Sequence, residues 1–172
     1  NVVNTPDQNR VKGEALFIRG AMYFELVKLF GKPYSAGSAN TNLGVPIILT
    51  PTRGIDASSY VARNTVEQVY TQILADLTEA ESLLPNTNGV YAAKPAASAM
   101  LSRVYLQMER FAEARDAADR GITVGVANGR NLAATYAAAF NTTSNSVEYL
   151  LAMQVNAQDG ANNMHLYWSI PA

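Results

Sequence analysis

The sequence predicts an all-α fold of antiparallel, tetratricopeptide-like helix pairs with one long irregular loop insertion. Apolar residues recur at helical spacing in four segments, at about 6–30, 65–84, 95–108 and 111–124. Glycine and proline end these segments, and the insertion at 31–63 has no sustained period. We expect one region over 1–172, with an irregular tail at 125–172, that forms part of a larger α-helical fold.

Composition excludes several classes of function. The 172 residues carry a formal net charge of −1, so no basic surface is available for nucleic acid or for an acidic membrane. No apolar run reaches the roughly 18 residues of a membrane-spanning helix. Cysteine is absent, which excludes disulfides and thiolate metal sites, and we expect no cofactor. Charged residues make up only 16% of the chain, which suggests that further polypeptide or a partner covers much of its surface.

The first predicted helix is apolar on two sides. Pro6 suits a first helical turn after Thr5, and the helical period continues to Phe30. One stripe consists of Val11, Ala15, Ile18, Met22, Leu26 and Leu29. A second, adjacent stripe consists of Leu16, Gly20, Tyr23, Val27 and Phe30. Because little polar surface remains, we expect this helix to pack on both sides, as an interior member of a helical array does.

The remaining helices have recognisable starts and inward faces. Asn64 with Glu67 three residues later predicts a capping box at the second helix. On the fourth helix we expect ion pairs at i,i+4, Arg115 with Asp119 and Asp116 with Arg120. The inward-facing residues are predicted to be Val66, Val69, Ile73, Leu77, Ala80 and Leu84, then Ala97, Leu101, Val104, Tyr105 and Met108, and finally Ala114, Ala117, Ala118 and Ile122.

The third and fourth helices together follow the pattern Leu101-x3-Tyr105-Leu106-x4-Phe111-x2-Ala114-x3-Ala118. This pattern resembles a tetratricopeptide unit, in which large residues of one helix pack onto small residues of the next. An ordinary αα-hairpin is the alternative interpretation. Further on, 131–140 suggests a short alanine-rich helix, and 147–155 suggests a strand or a short helix.

The order of several motifs resembles the SusD/RagB family of bacterial surface lipoproteins. The first helix ends in RGxxYFELVKLFGKP from Arg19 to Pro33, and NLGVPI follows at 42–47. The second helix opens with RNTVEQVY at 63–70 and continues with Ile73, Leu74, Asp76, Leu77 and Ala80. After the Leu84-Pro85 stop, Lys94 leads into Ala99-x-Leu101-x2-Arg103-Val104-Tyr105-Leu106. The resemblance covers roughly 14–122.

This resemblance implies a function at the cell outer membrane. Proteins of this family are anchored to the cell surface by a lipidated N-terminal cysteine and cap a SusC-like, TonB-dependent transporter. They bind glycan, oligosaccharide or peptide nutrients for import and catalyse no reaction. The anchoring cysteine is absent from this chain, and the C-terminal half that commonly supplies much of the ligand site is expected to lie outside it.

Candidate ligand-binding residues combine aromatic faces, which suit sugar C–H surfaces, with amides, which suit sugar hydroxyls. They are the loop residues Tyr34, Tyr60 and Tyr91 and the tail residues Asn162, Asn163, Tyr167 and Trp168. The alternative is that these tyrosines and the tryptophan pack at interfaces. Tyr23, Phe24, Tyr70 and Tyr105 lie on predicted helices, where we expect them in the core.

No sequence feature favours an enzyme. His165 is the only histidine, and its neighbours are mostly amides, which argues against a metal site. The chain contains no GxSxG, HExxH or P-loop motif. The carboxylates fall on predicted helices as solvated faces or caps: Glu67, Asp76, Glu79, Glu81, Glu109, Glu113, Asp116 and Asp119. A nutrient-binding protein is therefore the leading hypothesis, a tetratricopeptide scaffold for a protein partner the second, and a hydrolase the third.

Overall fold

A computed structural model of the chain describes residues 5–34, 38–140 and 145–153. It contains five α-helices: α1 (Thr5–Phe30), α2 (Val66–Leu83), α3 (Lys94–Gln107), α4 (Phe111–Ala127) and α5 (Tyr136–Phe140). A 3-10 turn spans Ala57–Ser59. The described residues form no strand, and one isolated antiparallel bridge joins Leu43 to Thr65. The predicted all-α class is confirmed.

Consecutive helices pack against one another to form the core. The most extensive contacts are those of α1 with α2 and of α3 with α4, and α2 joins the two pairs by packing on α3. Apolar residues from all four helices meet in the core, among them Phe24, Val27, Val69, Ile73, Leu77, Leu101, Val104 and Ala117. Large residues of α3 therefore lie against small residues of α4, as in a tetratricopeptide unit.

Small residues let α1 and α2 approach closely. At Gly20, an added Cβ would stand 2.9 Å from Cγ of Leu77 and 3.3 Å from Cβ of Asp76. Leu16 and Val27, from the same stripe of α1, are buried beside it. The stripe that contains Gly20 is thus the face of α1 that packs on α2.

The expectation that α1 packs on both sides is wrong for the described residues. The other stripe is exposed, and the exposed fractions of its large side chains lie between 40% at Leu26 and 75% at Leu29. At 100° per residue the centre of this stripe is rotated by roughly 120° from the centre of the Gly20 stripe, so α2 does not cover it. In the described part of the chain, α1 is the end helix of the array.

The capping box of α2 lies one residue later than predicted. The Thr65 hydroxyl accepts a hydrogen bond from the Gln68 amide at 3.2 Å, and the Gln68 side chain accepts one from the Thr65 amide at 3.0 Å. Asn64 instead accepts a hydrogen bond from the Ile47 amide, at 2.9 Å, so its side chain holds the preceding loop.

The inward face of α4 also differs from the prediction. Ala114 and Ala117 are buried, as expected, but Ile122 is exposed, and Gly121 and Gly125 are buried in its place. The absence of a side chain at Gly121 lets the backbone of α4 approach Ser98 of α3, because an added Cβ would lie 3.3 Å from Cβ of Ser98. The helix also continues to Ala127, beyond the predicted end near 124.

The two predicted i,i+4 ion pairs of α4 are replaced by others. Arg115 pairs with its neighbour Asp116, and Arg120 reaches across to Glu81 of α2. Beyond α4, the alanine-rich helix is confined to Tyr136–Phe140, and residues 147–153 form neither a strand nor a helix.

Candidate functional site

The connection between α1 and α2 is the longest irregular segment of the described chain and carries the candidate site. It starts where the Gly31 amide donates to the Val27 carbonyl at 2.9 Å and ends at the Thr65 cap. Gly31 suits this exit because an added Cβ would stand 2.8 Å from the same carbonyl oxygen. Pro33 follows, and it cannot continue a helical hydrogen-bond pattern.

Arg63 clamps the base of this loop. Its Nε donates to the Gly44 carbonyl at 2.6 Å, and its Nη2 donates to the carbonyls of Phe30 at 2.8 Å and Leu43 at 3.1 Å. The planar guanidinium thus joins the end of α1 to the middle of the loop through a single side chain. The sequence motif includes Arg63, but no pattern in the sequence indicates that its partners are backbone carbonyls.

Backbone hydrogen bonds reinforce the same base. The Gly44 amide donates to Asn64 at 2.7 Å, the Asn64 amide donates to Val45 at 3.2 Å, and the Val66 amide donates to Asn42 at 2.8 Å. These bonds surround the Leu43–Thr65 bridge, so the two arms of the loop run side by side in opposite directions. Residues 42–45 are therefore one arm of this short ribbon, and residues 64–66 are the other.

Tyr23 adds a contact from α1. Its hydroxyl accepts a hydrogen bond from the Ile48 amide at 2.7 Å and donates one to the Ile48 carbonyl at 3.0 Å. The ring of Tyr23 is partly buried against the core, as expected, while its hydroxyl fixes the position of the chain at Ile48. The loop base is thus rigidly held on two sides, by Arg63 and by Tyr23.

Beyond this base the loop encloses a cavity of its own. Residues 47–61 line a cavity of about 560 Å³, and Tyr60 stands on its wall with 83% of its surface exposed. The cavity mixes apolar side chains such as Ile48 and Ile55 with the polar and charged side chains of Thr50, Arg53 and Asp56. Such a mixture can hold a ligand that has both apolar and hydroxyl surfaces.

The other two described tyrosines lie elsewhere. Tyr34 packs edge-on against the buried Tyr70, with ring centroids 5.0 Å apart, and burial together with this neighbour raises the pKa of Tyr70 to about 12. Tyr91 is exposed in the turn between α2 and α3, near Arg10 of α1. The three tyrosines line three different cavities and do not converge. Asn162, Asn163, His165, Tyr167 and Trp168 lie outside the described residues.

Two of the carboxylates predicted to be solvated are built into the helix contacts. Asp76 is only 2% exposed and binds Arg19 through two hydrogen bonds, and Gln72 donates a third at 2.7 Å. Glu81 accepts hydrogen bonds from the buried Ser98 and from Arg120. Burial raises the pKa of Glu81, but these hydrogen bonds outweigh it and hold the pKa below its ordinary value.

These carboxylates do not form a reactive pair, because each is occupied by a cation and a polar donor. The described residues also contain no group of three or more histidine, cysteine, aspartate or glutamate side chains that could hold a metal ion. None of the described helices has the length and apolar character needed to cross a membrane.

The fold and the clamped loop define a class of helical protein in which tetratricopeptide-like pairs support an irregular, surface-exposed loop. A family model described as "Starch-binding associating with outer membrane", SusD-like, matches residues 1–106, which include α1, the whole loop, α2 and most of α3. Since this match covers more than half of the chain, the chain belongs to the SusD/RagB family.

Similar proteins agree with this assignment. SusD-like protein P2 of Formosa agariphila is 34% identical over 113 residues, which are 64% of this chain and 20% of that protein. A SusD superfamily protein of Bacteroides thetaiotaomicron is 39% identical, with a TM-score of 0.69 over 79% of this chain and 28% of its own. A protein of Bacteroides vulgatus described as a "putative sugar binding protein" is 36% identical, with a TM-score of 0.68 over 74% of this chain and 29% of its own. The chain therefore spans between a fifth and a third of the length of these relatives.

Proposed function

We propose that the protein to which this chain belongs is a non-catalytic binding protein of the bacterial outer membrane. It captures glycan or peptide nutrients at the cell surface and delivers them to a SusC-like, TonB-dependent transporter. A lipid anchor outside these residues holds it on the membrane. The observation that carries this proposal is the starch-binding, outer-membrane family match over α1, the loop and α2.

A further relative favours a glycan over a peptide as the ligand. A laminarin-binding SusD-like protein is 26% identical to this chain, with a TM-score of 0.54 over 67% of it. Starch and laminarin are both glucose polymers, whose rings present apolar C–H faces edged with hydroxyl groups. We therefore propose a neutral glucan as the first ligand class to test.

Within the described residues, the loop cavity at 47–61 is the best candidate for ligand contact. The exposed ring of Tyr60 offers a flat face for a sugar ring, and the polar groups around it offer partners for hydroxyls. Tyr34 is better explained as a packing residue, because its ring lies against Tyr70. Tyr91, Asn162, Asn163, Tyr167 and Trp168 stay candidates for a contact separate from this cavity.

The experiment is affinity electrophoresis of the whole gene product in gels that contain starch, laminarin or no glycan. Retardation by at least one glucan is expected, and Tyr60→Ala should reduce it. Tyr136→Ala is the matched control, because Tyr136 is 81% exposed but lies on α5 and does not line the loop cavity. Unretarded migration in a broad panel of glycans and peptides would instead favour a tetratricopeptide scaffold for a protein partner.

Catalysis is tested separately, because binding alone does not exclude turnover. After prolonged incubation with the retarding glucan, chromatography should find the chain length of the polymer unchanged. Shorter products formed by the purified protein would contradict the non-catalytic part of the proposal.

A further inference from the structure

The exposed stripe of α1 is a regular apolar surface that the described helices leave uncovered. It consists of Val11, Ala15, Ile18, Met22, Leu26 and Leu29, all exposed. Single exposed apolar side chains are common on proteins, but six aligned on one helix face mark a surface that contacts something.

The spacing of the stripe indicates the shape of what covers it. Its members follow one another at intervals of 4, 3, 4, 4 and 3 residues, an average of 3.6. Because this equals the period of a straight helix, the stripe runs parallel to the axis of α1 without winding around it. From Val11 to Leu29 it is about 27 Å long, which is the length of five helical turns.

A groove continues the stripe on one side. Between α1 and the loop segment 45–48 lies an open cavity of about 640 Å³, lined by Met22, Leu26, Phe30, Val45, Pro46 and Ile48 together with Tyr23 and two arginines. Met22 and Leu26 belong to both the groove and the stripe. An element lying on the stripe would therefore also reach the loop beside Ile48, where Tyr23 holds the backbone.

The charges around the stripe are already neutralised within the chain. Asp7, Arg10 and Glu14 pair along α1, Lys28 pairs with Glu25, and Lys12 and Arg19 pair with α2. Because the described charged side chains of α1 beside the stripe are paired, the stripe itself offers little electrostatic steering to a separate, transient partner. It resembles instead the apolar interface of a permanent assembly, which is like a domain core cut in half.

The lengths of the relatives identify the source of that permanent cover. The matched part of this chain spans 28% and 29% of two solved relatives that share its fold, so the larger part of each relative lies outside the match. We propose that the α1 stripe is an internal docking surface, covered by an amphipathic helix from further polypeptide of the same protein. In the whole protein α1 is then an interior helix. This inference rests on family membership and not on sugar binding, so either can fail without the other.

Thiol labelling tests this proposal directly, because the chain contains no cysteine. Met22→Cys places a thiol on the stripe, and Ile122→Cys places a control thiol on the exposed side of α4. Each variant is made both in the 172-residue chain and in the whole gene product, with any cysteine outside these residues replaced by serine. Reaction rates with a maleimide are then compared.

We expect the thiol of the Met22→Cys variant to react at least about tenfold more slowly in the whole gene product than in the 172-residue chain. The thiol of the Ile122→Cys variant should react at similar rates in both. Equal rates at position 22 would overturn the proposal, since the stripe would then be open to solvent or to a separate partner. Slow reaction in the 172-residue chain itself, with a dimeric mass in light scattering, would also overturn it in favour of a second copy.

Discussion

Arg19 and Asp76 form a bidentate ion pair that joins α1 to α2. Nε of Arg19 donates to Oδ2 of Asp76 at 2.7 Å, and Nη2 donates to Oδ1 at 2.6 Å. The carboxylate is buried, whereas about a third of the arginine side chain stays exposed. The hydrogen bond from the guanidinium to Asp76 is the largest contribution to the raised pKa of Arg19. Arg19 therefore compensates the charge of the buried Asp76 carboxylate.

The first prediction is that Arg19→Met lowers the free energy of unfolding by about 3 kcal/mol at neutral pH, because it leaves a buried carboxylate without its cation. Adding Asp76→Leu should recover most of that loss, since the unpaired charge is then removed. Urea denaturation followed by circular dichroism measures both changes.

Arg115→Met is the matched control for this experiment. Arg115 also pairs with an aspartate, but both partners are exposed, so no measurable loss is expected. An Arg19→Met variant as stable as the Arg115→Met variant would mean that the buried pair does not stabilise the contact between α1 and α2.

The second prediction concerns the acid side of the stability curve. The pKa of Glu81 is lowered in the folded chain, so the folded state binds the proton less well than the unfolded state does. The stability contributed by Glu81 is therefore fully present above its unfolded pKa of about 4.5 and is lost as the pH falls through the lower, folded value. Glu81→Gln removes this contribution, so its stability should fall less steeply below about pH 4.5 than that of the wild type.

Urea titrations at several pH values between about 3 and 7 would measure this slope. Glu67→Gln is the control, since Glu67 is exposed and forms no ion pair among the described residues. If the Glu81→Gln and wild-type curves run parallel across the acid range, the contact of Glu81 with Arg120 and Ser98 does not act through ionisation.

The helices could be predicted from the sequence because burial acts on every third or fourth side chain, and that period is visible at Val69, Ile73 and Leu77. The sequence could not tell which side of α1 is covered, since both sides are apolar and only the position of α2 distinguishes them. The capping box was misplaced by one residue because Asn64–Glu67 and Thr65–Gln68 are both acceptable caps. Local signals that overlap in this way are resolved only by tertiary contacts.

The candidate site was less predictable for a different reason. The lack of a period at 31–63 predicts a loop, but the shape of that loop depends on hydrogen bonds to backbone carbonyls, which no side-chain pattern reveals. The role of Arg63 and the hydroxyl of Tyr23 therefore could not be predicted. The sequence predicts a solvated Asp76, and the structure differs because its partner, Arg19, lies 57 residues away in the sequence.

The third prediction tests the close approach of α1 to α2. Gly20→Ala should destabilise the chain by about 1–3 kcal/mol, although alanine is the better helix former, because the new methyl group would overlap the buried Leu77. Gly54→Ala is the control: no atom lies within 4 Å of its added Cβ, and a change within about 0.5 kcal/mol is expected. Thermal and urea unfolding measure both. A stabilised Gly20→Ala chain would show that the helices can separate at no cost.

The fourth prediction concerns Arg63 and links the fold to the candidate site. Arg63→Ala leaves the carbonyls of Phe30, Leu43 and Gly44 without their shared donor, so the base of the loop should open more often. Hydrogen exchange at the amides of Gly44 and Asn64 should accelerate by about tenfold, which corresponds to about 1.4 kcal/mol, while exchange at Val104 in the core of α3 should change far less.

Arg63→Lys distinguishes geometry from charge. Lysine keeps the positive charge but lacks the planar fork, so it can satisfy fewer of the three carbonyls at once and should restore only part of the protection. Arg53→Ala, within the loop cavity, removes the same type of side chain without touching the base, and its exchange at Gly44 should match the wild type. Full protection in Arg63→Ala would mean that the ribbon hydrogen bonds alone hold the loop. Tyr60 would then be positioned without the contacts of Arg63. In affinity electrophoresis, glycan should retard the Arg63→Ala protein as much as it retards the wild type.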